Sequence, residues 1–192
     1  MNRLISLVLV FVIVGHLVAQ ECDELKDATP QRILGFLRAD ASDEAKAGCT
    51  VFAINALGQE LYLPAADTLA SLLDFRRPPT QMEKDGYYIK SNSRNFCPAV
   101  QSLELLGRDA LPAVLKVITS SSSSGQARMN AVEVWMATYK HDAPEGVAVL
   151  RREGQASKDA ISKEHLSWAV SQALKWCNPP DQERCAAAAR GQ

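Results

Sequence analysis

Four prolines begin apolar stretches with helical spacing, and this recurrence constrains the fold more than any other feature of the chain. Pro30, Pro64, Pro112 and Pro144 lie 34, 48 and 32 residues apart. Proline suits the first turn of a helix because an N–H group there has no intrahelical partner, and because the ring fixes φ near its helical value. Each proline therefore predicts the start of a helix, and the recurrence predicts an array of similar units.

A second amphipathic stretch follows each of these predicted helices. The four stretches have apolar residues at helical spacing, and they are residues 45–57, 97–106, 127–139 and 158–176. Gly58 and Gly107 follow the first two, and glycine is the residue that best adopts the left-handed conformation at a helix end. The pattern predicts an all-α fold of about four helical hairpins.

The stretch AVQSLELLGRDALPAVL at residues 99–115 resembles the register of HEAT and HEAT-like (PBS-lyase type) repeats. In that register an alanine, a leucine and a leucine-glycine pair precede alanine-leucine-proline. The resemblance extends over about residues 28–177, and it implies a short right-handed α-solenoid. Two features depart from the family pattern: Tyr139 stands where the third unit would have its glycine, and residues 76–94 interrupt the second unit.

The interruption at residues 76–94 is predicted to be a long inserted loop, because Pro78-Pro79 and Asp85-Gly86 break any helix through it. It carries Tyr87 and Tyr88 beside basic residues, a composition typical of recognition surfaces. Two interpretations stay open: a binding loop, or a solvated excursion in which Tyr87 packs back on the helices.

Residues 178–192 are predicted to form a C-terminal capping tail. A terminal repeat exposes an apolar face that must be covered, and Trp168 and Trp176 lie on the last predicted helix just before this tail. We expect the tail to fold back and the tryptophans to pack. The alternative is that the two rings stack a ligand.

Residues 1–19 have the features of a signal peptide. Arg3 gives a positive start, the apolar run from Leu4 to Ala19 is short for a membrane span, and a small residue stands at the predicted cleavage site after Ala19. This predicts a single mature domain at residues 20–192, secreted or periplasmic, with no membrane insertion after cleavage. The alternative is an uncleaved anchor, which would make the chain a membrane-anchored structural protein of the envelope.

Five cysteines follow the leader, so at least one thiol must remain unpaired. Cys177 and Cys185 flank a short loop with a Pro-Pro turn, which predicts a disulfide between them rather than two independent buried thiols. For Cys49 two partners stay open: Cys22, or Cys97 at the matching position of the next unit. A nucleophilic role for Cys97 at a helix start is a further alternative.

The composition excludes several kinds of chemistry. With 21 basic and 22 acidic residues, the chain lacks the clustered positive charge that nucleic acid binding needs. Beyond the leader the only histidines are His141 and His165, and no motif for a metal, a phosphate or a nucleophilic serine is present. The sequence therefore predicts no enzyme activity, no metal and no cofactor.

These observations favour an exported protein-binding or scaffold module. Solenoids bind partners on extended faces, so we expect contacts from polar positions on the second helix of each unit and from the inserted loop. The candidate positions are Asn55, Gln101, Glu104, Glu133, Gln172 and Lys175, with Tyr87 and Tyr88 from the loop. An enzyme of the bilin-lyase-like HEAT class is the other alternative. The identity of the protein partner and the oligomeric state stay open.

Overall fold

The structure is a computed structural model that describes residues 22–87 and 93–192. The signal peptide predicted at residues 1–19 and the candidate residue Tyr88 lie outside the described residues. Within those residues the chain is helical and contains no strand. None of the described helices combines the length and the apolar character needed to cross a bilayer.

Residues 22–26 form a helical turn, and eleven labelled helices follow it in the described ranges. They are α1 Pro30–Asp40, α2 Ala47–Gln59, α3 Ala66–Ser71, α4 Gln81–Lys84, α5 Ser93–Phe96, α6 Pro98–Leu106, α7 Leu111–Thr119, α8 Gly125–Thr138, α9 Ala143–Ala156, α10 Ala160–Ala173 and α11 Gln182–Arg190. Short 3₁₀ turns lie at Glu44–Lys46, Leu63–Ala65, Gly107–Ala110, Leu174–Trp176 and Pro179–Asp181.

The proline rule predicts the helix starts well. Pro30, Pro112 and Pro144 lie in the first two positions of α1, α7 and α9. Pro64 lies in the 3₁₀ turn that leads into α3. Side-chain caps support the longer helices: for example, the Asp159 carboxylate accepts a hydrogen bond from the Ser162 backbone N–H at 2.8 Å at the start of α10.

One of the two predicted glycine caps is wrong. Gly107 ends α6 with φ at 69°, a conformation that favours glycine, as predicted. Gly58 instead lies inside α2, which continues to Gln59, and the positive φ after that helix belongs to Leu61 at 50°. A Cβ atom on Gly58 would lie 2.6 Å from the Cβ atom of Ser102 in α6. Gly58 is therefore needed for the close approach of two helices, not for a turn.

The helices contact each other as consecutive pairs. The pairs are α1 with α2, α3 with α6, α7 with α8 and α9 with α10. The second members of the pairs are also neighbours in chain order, because α2 contacts α6, α6 contacts α8 and α8 contacts α10. The first members follow the same order from α1 to α3 to α7, but α7 then contacts α10, and α9 packs on α10 and α11.

The apolar core runs along the row of second members. Ile54 and Leu57 of α2, Leu103 of α6 and Val132 and Val134 of α8 are fully buried. Burial of one such side chain contributes about 1.5–3 kcal/mol, so the contacts between successive pairs account for much of the stability. Ser102 is also buried, and its hydroxyl donates a hydrogen bond to the Ile54 carbonyl at 3.0 Å, between α6 and α2. The hydroxyl is therefore not left without a partner in the core.

The C-terminal tail folds back through α11, which packs on α9. Cys185 in α11 is fully buried and is joined to Cys177, as the intervening loop predicts. The two tryptophans do not both pack in the core as expected: Trp168 is half-buried, but the side chain of Trp176 is exposed.

The second disulfide joins Cys22 to Cys49, with Cα atoms 5.2 Å apart, within the usual range for such bonds. The alternative pairing of Cys49 with Cys97 is therefore wrong, and Cys97 is a free, buried thiol. Disulfides persist in oxidising compartments, so the two bridges indicate an oxidising, non-cytoplasmic environment.

Candidate protein-interaction surface

We call residues 76–96 the inserted segment, and its described part, residues 76–87 and 93–96, contains two short helices instead of a fully irregular loop. The side chain of Thr80 accepts a hydrogen bond from the Glu83 backbone N–H, and the Glu83 carboxylate accepts one from the Thr80 backbone N–H at 2.6 Å. This reciprocal capping box satisfies two donors that the first turn of α4 leaves without intrahelical partners. It fixes α4 locally, even though α4 is only one turn long.

Arg77, near the start of the segment, forms hydrogen bonds with α4 and with the end of the segment. Its Nη1 and Nη2 atoms donate to the Glu83 carboxylate at 2.7 and 3.1 Å, and its Nε atom donates to the Asn95 carbonyl at 2.6 Å. Its backbone N–H donates to the Phe96 carbonyl at 2.8 Å, and its guanidinium lies 5.3 Å from the centre of the Phe96 ring. The hydrogen bonds from Arg77 and Thr80 lower the pKa of Glu83 to about 2.

The segment presents two large apolar side chains to solvent. The exposed fractions of Met82 and Tyr87 are 59% and 64%, and the Tyr87 backbone N–H donates to the Met82 carbonyl at 3.0 Å. Tyr87 therefore does not pack back on the helices, which was the alternative interpretation of this loop. Tyrosine and methionine are both enriched in protein interfaces, so this exposed pair, whose backbones are hydrogen-bonded to each other, has the composition of a binding contact.

The base of the segment covers two predicted contact residues, Glu104 of α6 and Glu133 of α8. The Arg94 Nε atom donates to both oxygens of Glu104, at 3.0 and 2.9 Å, and the Ser93 hydroxyl donates to Glu133. Burial raises the pKa of Glu104 against the opposing effect of Arg94, and Glu104 in turn raises the pKa of Arg94. These acids are internal partners of the segment.

This placement corrects the prediction for Glu133. Its exposed fraction is 7%, so it is not available to a partner while the segment is in place. Glu104 is half-buried, and 18% of its side chain remains exposed. Polar residues on a helix were expected to face solvent, but the inserted segment covers these two. The hydrophobic periodicity of the sequence does not indicate where the segment lies.

The remaining candidates lie on different helices and do not form one cluster with the segment. Gln101 of α6 is exposed, and Lys175 donates to Gln172 at 2.7 Å at the end of α10. Asn55 of α2 is half-buried and lines a groove of about 500 Å³ beside Phe52.

No pattern used above to select contact residues points to Met82, Arg77, Glu83 or Arg94. The pattern Thr80-x-x-Glu83 is a capping-box signature and would have revealed α4. No comparable local signal marks Arg77 or Arg94, because their partners are set by the tertiary fold.

The side chains with catalytic potential at neutral pH are those of His141, His165 and Cys97. The Nδ1 atom of His165 lies 3.1 Å from the Thr119 carbonyl, and His141 is exposed. Burial raises the pKa of Cys97, which disfavours the thiolate that a nucleophile requires. The described residues contain no group of histidine, cysteine and acidic side chains arranged to hold a metal ion.

No protein-family model matches the chain, and neither a curated protein nor a solved structure is detectably similar to it.

Proposed function

We propose that this protein is an exported binding module that recognises a protein partner through the inserted segment. The observation that carries the proposal is the exposure of Met82 and Tyr87 on a segment fastened by Arg77. A contact that is ordered before binding loses less conformational entropy when the complex forms. A few central aromatic residues commonly supply most of the affinity of an interface, and Tyr87 is suited to that role.

The scaffold of this proposal is a short right-handed α-solenoid of HEAT-like hairpins. Its support is the succession of helix pairs and the contacts between second members from α2 through α6 and α8 to α10. Arrays of this kind display loops from fixed positions along one edge. The inserted segment connects α3 to α6 and lies over the Glu104 and Glu133 side chains of two successive second members.

Export is the third element of the proposal. The two disulfides support it, and so does the apolar N-terminal sequence that precedes a polar mature region. We expect the intact mass of the native protein to correspond to a chain that begins at Gln20 and contains two disulfides. A mass that includes residue 1 would contradict cleavage and favour the anchored alternative.

Capture from the native host tests the binding surface. The oxidised protein is used to recover partners from the envelope fraction and the culture medium, in parallel with the variants Met82→Ser and Tyr87→Ala. Ile161→Ser is the matched control, because Ile161 is a comparably exposed apolar residue, at 49%, on α10 and outside the segment. A partner that is recovered with the wild type and the control, but lost with both segment variants, is then purified.

Titration with the purified partner gives the decisive measurement. We expect Tyr87→Ala to weaken binding at least about tenfold, as is typical for a central aromatic contact, and Ile161→Ser to leave the Kd unchanged. Equal affinity of the wild type and both segment variants would refute the proposed surface. Failure of the wild type to recover any partner that binds in purified form would refute the proposed function.

A further inference from the structure

We propose that a second site, a groove between α9, α10 and α11, binds a single-chain amphiphile with an anionic headgroup, such as a long-chain carboxylate. The groove has a volume of about 430 Å³, within the range of ligand pockets. Its apolar lining consists of the half-buried Val170 and Ala189 and the buried Leu150 and Leu166. These aliphatic walls suit a hydrocarbon chain.

The charges at this groove distinguish it from four other grooves in the described part of the chain. Its lining contains Arg151 and Lys163 and no acid. Four other grooves of similar volume in the described chain each have at least one acid in the lining: Asp67, Glu24, Asp142 and Glu60 are examples, one from each. Among these five grooves, the one between α9, α10 and α11 has a purely positive lining. Arg151 also lines the groove that contains Asp142 and Glu145, so Lys163 is the cation that belongs to this groove alone.

Both cations lack partners in the part of the chain that the structure describes. The Nε atom of Arg151 is buried without a hydrogen-bond acceptor. The adjacent Arg152, by contrast, donates to Glu145 at 2.7 Å, and Arg184 lies between Asp142 and Asp181. The buried Nε atom is out of reach of a ligand, so the Nη atoms of Arg151 are the ones that would pair with an anionic headgroup, since a guanidinium can bind a carboxylate or sulfate with two parallel hydrogen bonds.

The walls of the groove are fixed before any ligand binds. The Cys177–Cys185 disulfide ties α11 to the chain that follows α10. Gly154 lets α9 approach α10 closely, since a Cβ atom there would lie 3.3 Å from the Cβ atom of Leu166. A preformed groove loses little conformational entropy on binding, which favours a small ligand.

Fluorescence titration with 11-(dansylamino)undecanoic acid, below its micelle concentration, tests the site. The wild-type protein should shift the dansyl emission to the blue and bind the acid about tenfold more tightly than its neutral methyl ester. The double variant Arg151→Gln/Lys163→Gln should lose about tenfold in affinity for the acid and little for the ester. The control Arg152→Gln/Lys175→Gln removes the same charge from exposed positions, and its affinity should stay within about twofold of wild type.

Two further measurements keep the outcome clear. Urea midpoints equal to wild type show that each variant is folded, and methyl NMR shifts caused by the acid should centre on Leu150, Leu166 and Val170. Absence of binding to the wild type, equal binding of acid and ester, unchanged binding by the groove variant, or shifts centred elsewhere would each overturn the proposal. Sedimentation with phosphatidylglycerol vesicles in the absence of binding to the free acid would also overturn it, in favour of a membrane surface.

Discussion

The contact between Gly58 and Ser102 allows a direct test of how α2 and α6 pack. In Gly58→Ala the new Cβ atom would lie 2.6 Å from the Cβ and Oγ atoms of Ser102 and 2.7 Å from its Cα atom. The hydroxyl can rotate away only by giving up its 3.0 Å hydrogen bond to the Ile54 carbonyl, and the Cα atom cannot rotate at all. The two helices must therefore move apart.

The expected change in the free energy of unfolding is the balance of opposing effects. Alanine in a helix interior is favoured over glycine by about 0.5–1 kcal/mol. Overpacking a dense core costs about 1–3 kcal/mol, and disturbing a buried hydrogen bond costs about 1 kcal/mol more. We expect Gly58→Ala to lose about 1–3 kcal/mol, which lowers the Tm by about 3–10 °C in a chain of this size.

Gly35→Ala is the matched control, because Gly35 lies inside α1 with nothing within 4 Å of an added Cβ atom. It should gain about 0.5–1 kcal/mol from helix propensity alone. Urea unfolding of the oxidised proteins, followed by circular dichroism, gives both values. Adding Ser102→Gly to Gly58→Ala removes the two closest atoms, so the double variant should recover about 1 kcal/mol relative to additivity. A Gly58→Ala protein as stable as Gly35→Ala would refute the proposed helix contact.

Three other predictions concern charge and sulfur. The pKa of Glu83 is lowered from 4.5 to about 2 in the folded protein, so its carboxylate stabilises the fold above about pH 4.5 and this contribution disappears as the pH falls toward 2. Urea unfolding at several pH values should therefore show that the difference in stability between wild type and Glu83→Gln closes in that range. Cys22→Ser/Cys49→Ser opens a bridge with a sequence separation of 27 and should cost about 3–4 kcal/mol in the same assay. Cys97, buried and with a raised pKa, should react with a thiol reagent only after unfolding, giving one equivalent per chain.

Local chemistry explains which features of the fold were predictable. A proline in the first turn needs only its own ring and missing N–H group, so Pro30, Pro112 and Pro144 mark helix starts without knowledge of any neighbour. The loop between Cys177 and Cys185 is short enough to predict its bridge.

Features set by distant neighbours were not predictable in the same way. A leucine-glycine pair near a helix end fits both a cap and a close helix contact, and only the position of Ser102 shows which applies to Gly58. Cys49 had two suitable partners, because pairing depends on where residues 22–26 lie relative to α2. Sequence separation alone does not determine that placement.

The inserted segment shows most clearly how local and tertiary information combine. Its capping box is encoded within four residues, so α4 can form wherever the segment lies. Its position is set by Arg94 and Ser93, whose carboxylate partners come from α6 and α8. That position buries Glu133, so the polar residue expected to contact a partner instead holds the segment. The exposed apolar side chains of this region are Met82 and Tyr87 of the segment, whereas Glu133 of α8 is buried, and a pattern that identifies helix faces does not show which of those faces the segment covers.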